Sequence, residues 1–461
     1  MAKPSTPQGT RDFGPEVVRK RNYIFGTIKR IFELYGFQPL ETPAMENLDT
    51  LMGKYGEEGD KLIFKILNNG LDRPEKEAKA REAFEKLLQG RNTMDLTERA
   101  LKYDLTIPFA RYVAMNHSQL ALPFKRYQMQ PVWRADKPQR GRYREFYQCD
   151  ADVVGSRSLL NELDFVNIYN DVFKSLGIDG FEIRINSRKI LLALAERCGG
   201  ADRMMDITIA IDKLDKIGLD KVKLELAGRG LSEEQVTIIE KFLDLSHHSS
   251  GNEDVIKALE GLFEGSQTGR AGISEVAFIT RECRETGLSG PVIIDTTLAR
   301  GLNYYTGLIF EVKAPPAVKI GSIGGGGRYD DLTGLFGVPN MPGAGISFGV
   351  DRIYDVMEEL GLFPDTVEEG TKVLFFNLGE TESRAAYRLM QELRHSGIAA
   401  ELYHETAKFD KQFRYAEKKH IPYIAILGSK ELEEKQIMLK DLRNGEQKAV
   451  SFENLNAFLF I

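Results

Sequence analysis

Several arginines stand where a charge serves little purpose unless it binds something. The segment 124–144 carries seven basic residues and one acid. Arg134 lies in its strand-like half, and an arginine held on a strand presents a planar fork that fits a phosphate. Arg142, across the basic loop, is a candidate for a second phosphate, and Phe146 could stack on a base. The plain alternative is a solvated basic loop.

A second candidate arginine, Arg300, interrupts the otherwise apolar run 297–311 (TLARGLNYYTGLIFE). It either pairs with a core carboxylate or faces a ligand. Tyr304 and Tyr305 follow it and could be plain core aromatics. On a strand the two rings would point to opposite faces, so we expect at most one of them to line a given pocket.

Four consecutive glycines, 324–327, cannot serve packing, because glycine weakens a strand. They let the backbone approach a ligand or another strand closely. No GK[ST] sequence follows them, so they are weak as a phosphate loop. Tyr329, just after, is a candidate pocket wall. Arg352 opens a predicted helix after the strand-like run 343–350, where a plain strand-to-helix turn is the alternative.

Hydrogen-bond acceptors are grouped in two further places. Asp104 and Thr106 are expected on one face of a strand-like piece, as an acceptor pair suited to an ammonium group. Gln148, Asp150 and Asp152 alternate along a predicted strand, so they share a face. Two acids on one face are costly unless one meets a donor or a cation. They are therefore either pocket residues or solvated edge acids.

The elements that must position these residues follow from periodicity. A helix is predicted over 15–35, and a long hairpin from the strand-like runs 122–133 and 143–155. The segment 187–286 is mostly helical, with no catalytic-looking motif. Beyond 372, strands and helices alternate, which predicts a small domain with a largely parallel sheet. The expected domains are 1–186 (with a charged surface insertion near 71–98), an inserted helical module at 187–288, a return of the first domain at 289–362, and a separate domain at 371–461.

Bulk composition limits the class of protein. Apolar residues make up 42% and charged residues 28%, as in ordinary soluble proteins. The net charge of -6 means that any nucleic acid must be held by local patches. Three cysteines are too few for a disulfide framework. There is no secretory signal and no apolar run long enough for a membrane span. We therefore expect a cytoplasmic protein with no membrane partner.

Taken in order, these segments resemble the class II aminoacyl-tRNA synthetases. The stretch 17–43 resembles their first motif, the hairpin with Arg134 the second, and GISFGVDRI with Arg352 the third. LARGLNYYTG and GGGGRYDDL resemble two signatures particular to histidyl-tRNA synthetases, and LKYDLTIPFARY and RYREFYQCDADVVG fit that family closely. The end of the chain (KFDKQFRYAEKKHIPYIAILG) resembles its anticodon-binding domain.

The resemblance implies an α+β fold: a catalytic domain on an antiparallel sheet, a mostly helical insertion and a small C-terminal α/β domain. It implies a homodimer that uses histidine, ATP, Mg²⁺ and histidine tRNA. It also implies a role for each candidate residue: Arg300 stabilises the reacting phosphate; Arg134 binds the α-phosphate; Arg142 and Arg352 bind the distal phosphates; Phe146 binds adenine; Asp104, Thr106 and Gln148 hold the α-amino group; Asp152, Tyr305 and Tyr329 surround the imidazole.

Three departures from the family pattern affect the site. Asp136 and Asp351 stand where the second and third motifs usually carry glutamate, which keeps the charge and shortens the reach. Asn303 replaces an aspartate of the first signature. The alternative function is a non-catalytic paralogue that acts as a regulatory subunit in histidine biosynthesis. That paralogue typically lacks the C-terminal domain and has eroded signatures, whereas this chain retains both.

Overall fold

A computed structural model describes residues 3–91, 93–248, 251–288, 292–299, 304–368, 370–458 and 460. Its backbone contacts divide the chain into two compact units, Met1–Phe363 and Pro364–Ile461. Each unit has a hydrophobic core of its own. Within the described residues, no helix combines the length and apolar character needed to cross a membrane.

The first unit is built on an eight-stranded sheet of order β1-β5-β6-β11-β10-β9-β7-β8, with a three-stranded sheet of order β2-β4-β3 beside it. In the large sheet β1 and β8 pair in parallel with their neighbours, and the other pairings are antiparallel. The expected antiparallel catalytic sheet is therefore confirmed. The strands are β1 Gln38–Pro39, β2 Met45–Asn47, β3 Lys65–Ile66, β4 Arg99–Leu101, β5 Phe124–Trp133, β6 Glu145–Val154, β7 Glu182–Ser187, β8 Val292–Ile294, β9 Leu308–Lys313, β10 Gly324–Asp330 and β11 Pro342–Gly349.

The helices of this unit lie between and around the strands. They are α1 Pro15–Leu34, α2 Leu48–Leu51, α3 Gly56–Lys61, α4 Pro74–Leu88, α5 Thr106–Asn116, α6 Leu160–Ser175, α7 Arg188–Arg197, α8 Met204–Ile211, α9 Leu214–Ile217, α10 Leu219–Gly228, α11 Glu233–His248, α12 Asn252–Leu262, α13 Gln267–Glu285 and α14 Val350–Glu359. The charged insertion forms α4, whose buried side chain is Ala83. The apolar side chains of α7 to α13 join the cluster that covers the sheet.

Two long helices cover one face of the large sheet. Helix α1 buries Ile24, Ile28 and Phe32, which recur at helical spacing, and it ends before Gly36, where φ is positive. Helix α6 packs Tyr169 against Phe348 of β11, with ring centroids 4.8 Å apart. Because side chains alternate along a strand, the residues next to these core positions face the other side of the sheet. That other face carries the candidate site.

The second unit is a five-stranded sheet of order β13-β12-β14-β15-β16 with helices packed on it. Strand β12 is buried on both faces, as expected for parallel neighbours. The expected largely parallel sheet is wrong for its second half, because β14-β15 and β15-β16 pair antiparallel. A short turn joins β15 to β16, and such a connection permits only an antiparallel pair. Its elements are β12 Val373–Phe375, β13 Ala400–Leu402, β14 Tyr423–Ile426, β15 Gln436–Asp441, β16 Gln447–Ser451, α15 Asp365–Glu368, α16 Glu380–His395, α17 Phe409–Lys418 and α18 Ser429–Glu433.

Candidate active site

Two adjoining cavities open on the face of the large sheet that α1 and α6 leave uncovered. The inner cavity, about 40 Å³, is lined by every residue that the sequence assigned to histidine: Asp104, Thr106, Gln148, Asp152, Tyr305 and Tyr329. The outer cavity, about 170 Å³, is lined by every residue assigned to ATP: Arg134, Arg142, Phe146 and Arg352. Arg134, Gln148 and Ser347 line both cavities. Arg300, the candidate catalytic arginine, and Asn303 lie outside the described residues.

Arg134 is the first residue of the β5–β6 hairpin loop, directly after the end of β5. The sequence analysis had placed it within the strand. Its backbone N–H donates to Arg144 O (3.0 Å), which continues the pairing past the strand. Its Nε donates to Tyr103 O (3.0 Å). The guanidinium lies 4.3 Å from the ring centroid of Tyr103 and 5.1 Å from that of Phe146. These contacts fix the plane of the fork between the two cavities.

The other arginines of the outer cavity belong to the hairpin loop and to α14. The Arg352 Nε donates to Gly141 O (2.9 Å) and its Nη1 to Ser322 O (2.6 Å), so Arg352 links α14 to the hairpin loop. Gly141 has a positive φ and lies against the Arg352 side chain, which explains a glycine there. Arg142 is half exposed, 3.8 Å from Asp136.

An N-terminal segment that the sequence analysis did not assign to the site contacts residues that line the outer cavity. Gly9 O accepts a hydrogen bond from the backbone of Arg144 (2.9 Å). The Arg11 guanidinium lies 3.2 Å from the ring centroid of Tyr143 and donates to Asp351 (2.6 Å). Arg21 of α1 donates to the same Asp351 oxygen (2.6 Å). The shorter acid at the third motif is therefore held by two arginines.

The sequence predicted that Asp104 and Thr106 lie on a strand, and this prediction is wrong. Strand β4 ends at Leu101, and Thr106 begins helix α5, so Asp104 lies in the connection between them. The Asp104 carboxylate accepts from the Ile107 N–H (3.1 Å), one of the donors left unpaired at a helix start. It also accepts from the hydroxyl groups of Tyr55 (2.9 Å) and Tyr304 (3.3 Å). Burial raises the pKa of Asp104, and these donors oppose that rise.

Both tyrosines after the Arg300 position line the inner cavity, contrary to the expectation that at most one would. That expectation assumed a strand, whereas β9 begins only at Leu308. Tyr304 and Tyr305 lie in the segment before this strand, with ring centroids 5.1 Å apart and planes at 72°. Burial raises the pKa of both hydroxyls, so both stay protonated and can donate.

Asp152 lies at the deep end of the inner cavity, on β6. Its Oδ1 accepts from the Tyr329 hydroxyl (2.6 Å), and its Oδ2 lies 2.9 Å from the Arg126 guanidinium. Arg126 is fully buried, also donates to Leu105 O (3.1 Å), and lies opposite Asp152 on β5. Burial raises the pKa of Asp152, and Arg126 and Tyr329 oppose that rise. A donor such as an imidazole N–H would meet a carboxylate whose orientation is already fixed.

Glycines of β10 and β11 make room for these side chains. A Cβ on Gly345 would overlap the Asp152 carboxylate, and one on Gly343 would overlap the Tyr329 ring. A Cβ on Gly327 would crowd Tyr305. The glycine run is thus a sheet strand whose missing side chains leave space for the cavity lining, which is the close-approach role expected from the sequence.

Besides the N-terminal segment, sequence reasoning left three polar residues of the site without a role or with a minor one. Arg126 was counted within the basic segment, although its alternation with Gln128 and Gln130 along β5 was a usable signal. Ser347 was read only as part of a strand. The sequence analysis correctly placed Asp150 on the same face as Asp152, and Asp150 lines the inner cavity beside it. Burial and the neighbouring Asp152 raise the pKa of Asp150, and Arg126 opposes the rise.

Known proteins match this chain along most of its length. The family model described as histidyl-tRNA synthetase matches residues 77–353, and a model described as anticodon binding domain matches residues 372–459. A protein of Christiangramia forsetii named histidine–tRNA ligase is 54% identical over 460 residues, covering 99% of each chain. One of Flavobacterium johnsoniae with the same name is 51% identical over 474 residues, again covering 99% of each.

Solved structures share the architecture. The crystal structure of histidyl-tRNA synthetase from a Nostoc species superposes with a TM-score of 0.80 at 32% identity, covering 100% of both chains. A Bacillus halodurans structure described as an ATP phosphoribosyltransferase regulatory subunit/histidyl-tRNA synthetase has a TM-score of 0.70 at 20% identity, covering 90% of this chain and 97% of the other. At that identity the second likeness concerns the fold alone.

Proposed function

The chain belongs to the histidyl-tRNA synthetase family, and from that premise we propose how its two cavities divide the work. It is an ATP-dependent ligase that activates histidine and transfers it to histidine tRNA. The observation that carries the residue assignment is the junction of the cavities at Arg134 and Gln148. A carboxylate in the inner cavity and an α-phosphate in the outer cavity would meet there.

In this proposal the inner cavity binds histidine. Asp104, Thr106 and Gln148 hold the α-ammonium group, while Asp152, Tyr305 and Tyr329 surround the imidazole. Supporting it, Asp104 and Asp152 are each 2% exposed, and their oxygens already have fixed donors. A buried polar pocket rejects apolar amino acids strongly, because they would leave its groups unpaired.

The outer cavity binds ATP. Phe146 stacks on the adenine, Arg134 holds the α-phosphate, and Arg142 and Arg352 hold the distal phosphates. Arg300 stabilises the reacting phosphate, a role that rests on the family motif alone. The fixed plane of Arg134 between Tyr103 and Phe146 supports the assignment, because a preorganised donor loses little on binding.

The first step is an in-line displacement. A histidine carboxylate oxygen bonds to the α-phosphorus, the bond from that phosphorus to the bridging oxygen breaks, and pyrophosphate leaves. Since a carboxylate is already a nucleophile, the site needs alignment and cationic stabilisation of the phosphoryl oxygens rather than a strong base. A terminal ribose hydroxyl oxygen of the tRNA then bonds to the histidyl carbonyl carbon, the bond from that carbon to the phosphate oxygen breaks, and AMP and the hydroxyl proton leave.

Mg²⁺, a homodimer and a cytoplasmic location complete the proposal. Mg²⁺ usually relies on one or two carboxylates plus substrate phosphates, so the outer cavity with Asp136 and Asp351 suits it. When bound, Mg²⁺ would neutralise charge on the phosphates. The described part of the chain holds no cluster of three acids, histidines or cysteines that could bind a metal by itself. The family likeness supports the dimer, and a role in protein synthesis supports the cytoplasmic location.

Pyrophosphate–ATP exchange, run with each of the twenty amino acids, tests this proposal. We expect exchange with histidine only. Equal exchange with another amino acid would overturn the assignment, and no exchange with any would favour the regulatory paralogue. That alternative is not favoured, since full-length relatives about 50% identical are named as ligases.

A further inference from the structure

Three polar side chains form a row on the floor of the inner cavity. Asp150 of β6 lies directly opposite Ser347 of β11 in the sheet register, and Gln148 is the next residue of β6 on the same face. The Gln148 Nε2 donates to the Ser347 Oγ over 3.0 Å. The Asp150 carboxyl lies across the strand pair from this hydroxyl, which opposes the rise in the Asp150 pKa, and the Asp150 Oδ1 is buried with no hydrogen-bond partner among the described residues.

The unpaired Asp150 oxygen favours one orientation of the Ser347 hydroxyl and of the Gln148 amide. A carboxylate oxygen accepts, and a serine hydroxyl has a single proton to give. When the hydroxyl proton turns toward the Asp150 carboxyl, the Ser347 oxygen is left to accept from Gln148, as the Gln148 Nε2–Ser347 Oγ hydrogen bond requires. The group of Gln148 that faces Ser347 must then be the NH₂, because the amide oxygen cannot donate.

This chain of bonds leaves the Gln148 amide oxygen pointing elsewhere. Its Oε1 is buried and has no hydrogen-bond partner among the residues that the structure describes. A buried acceptor without a donor is costly, so a ligand that brings a donor recovers that cost. Gln148 lies where the two cavities meet, and the donor-rich end of the proposed substrate is its α-ammonium group.

We infer that Asp150 and Ser347 are positioning residues that hold Gln148 with its carbonyl oxygen toward the α-ammonium group of histidine. This inference rests on the proposed function and deepens it, since neither residue has a role in that proposal. Without the serine hydroxyl, the amide of Gln148 can turn and present its NH₂ to the ammonium. The enzyme would then bind the α-ammonium group more weakly, while its contacts with the imidazole would be unchanged.

Two ligands separate these ends of the substrate. Histidinol carries the imidazole and the ammonium group, whereas 3-(imidazol-4-yl)propionate carries the imidazole and no amine. Binding of each to the full-length protein is measured by calorimetry for the parent, Ser347→Ala, Asp150→Asn and the double variant. We expect either substitution to weaken histidinol about tenfold, the scale of a charge-assisted hydrogen bond, and to leave the propionate nearly unchanged.

The double variant should be no weaker than the worse single variant, because both residues act through Gln148. Ser347→Thr, which keeps a hydroxyl, should retain histidinol binding. Ser274→Ala on α13 and Asp220→Asn on α10 are matched controls on exposed helix positions far along the chain, and they should change neither ligand.

Each contrary outcome has its own meaning. Equal weakening of both ligands would show a merely structural role and overturn the inference. A harmless Ser347→Ala beside a damaging Asp150→Asn would show that Asp150 contacts the ligand directly, which also overturns it. A parent protein that binds neither ligand would instead overturn the proposed histidine site, and the inference with it.

Discussion

Three carboxylates and one guanidinium share the buried floor of the catalytic sheet. Asp104, Asp150 and Asp152 are each 2% exposed, and Arg126 is fully buried. Burying a charge without a partner has a large cost in folding free energy. Here hydrogen-bond donors of Tyr55, Tyr329 and Arg126 offset part of that cost. A surplus of buried acceptors remains, which suits a substrate with an ammonium group and ring N–H donors.

Asp152→Asn should raise the Michaelis constant for histidine far more than that for ATP. The substitution keeps the shape, removes the charge and places an NH₂ among groups that already donate. A charge-assisted hydrogen bond contributes about 1.5–3 kcal/mol, so the expected rise is roughly 10- to 100-fold. Pyrophosphate exchange measures both constants, with the exposed Asp220→Asn of α10 as control. Equal effects on the two substrates would exclude Asp152 as the imidazole partner.

The melting temperature of Asp150→Asn, compared with that of the parent protein at the same pH, should increase as the pH rises. Burial raises the pKa of Asp150 above its ordinary value of 3.8. A carboxyl with a raised folded-state pKa contributes stability below its unfolded pKa and loses it as pH rises through the folded pKa. The asparagine variant has no such loss.

Calorimetric melting at about pH 5 and about pH 8 measures this difference. The melting temperature of Asp150→Asn, minus that of the parent, should increase with pH, and that of Asp220→Asn should not. A difference that stays constant or falls would show that the cost of ionising Asp150 does not oppose folding.

Among the elements, the β5–β6 hairpin was the most predictable, and the reason is local. Its alternation of polar and apolar residues places Gln148, Asp150 and Asp152 on one face, which the structure shows. The same reasoning gave a wrong strand prediction for Asp104 and Thr106, because a pattern of two residues is too short to distinguish a strand from the start of a helix. The prediction that at most one of Tyr304 and Tyr305 lines the pocket was wrong for a similar reason, because it assumed a strand at these two residues.

The N-terminal segment shows what local patterns cannot supply. The Arg11–Asp351 hydrogen bond joins residues 340 positions apart, and nothing in the spacing of residues 3–14 indicates it. Only folding of the sheet brings the segment to the hairpin loop and α14. The same holds for Ser347, whose partner on β6 is set by strand register.

Arg11→Ala should weaken ATP binding and leave histidine binding unchanged. Arg11 packs on Tyr143 and donates to Asp351, both of which line the outer cavity. Because Arg11 is 30% exposed, its ion pair contributes about 1 kcal/mol at most, and the Michaelis constant for ATP should rise about fivefold. Arg30→Ala, an exposed arginine on α1, is the control. A larger effect on histidine than on ATP would contradict this role for the segment.

At the scale of the whole molecule, the chain combines two units with different tasks. Residues of both cavities come from Met1–Phe363, whereas the anticodon binding domain model matches within Pro364–Ile461. The second unit has its own sheet, and apolar clusters cover both faces of it. A unit with its own core can fold alone, so activation of histidine and recognition of tRNA should be separable.

Removal of residues 371–461 should therefore preserve histidine-dependent pyrophosphate exchange and impair charging of histidine tRNA. The truncated protein keeps every residue assigned to ATP and histidine, but it loses the domain that would contact the anticodon. Exchange and tRNA aminoacylation are measured side by side on truncated and full-length protein. Charging should fall far more than exchange, mainly through a higher Michaelis constant for tRNA. Full charging by the truncated protein would contradict an anticodon-binding role for the second unit. Loss of exchange in a truncated protein that still melts cooperatively would show that the first unit needs the second for its chemistry.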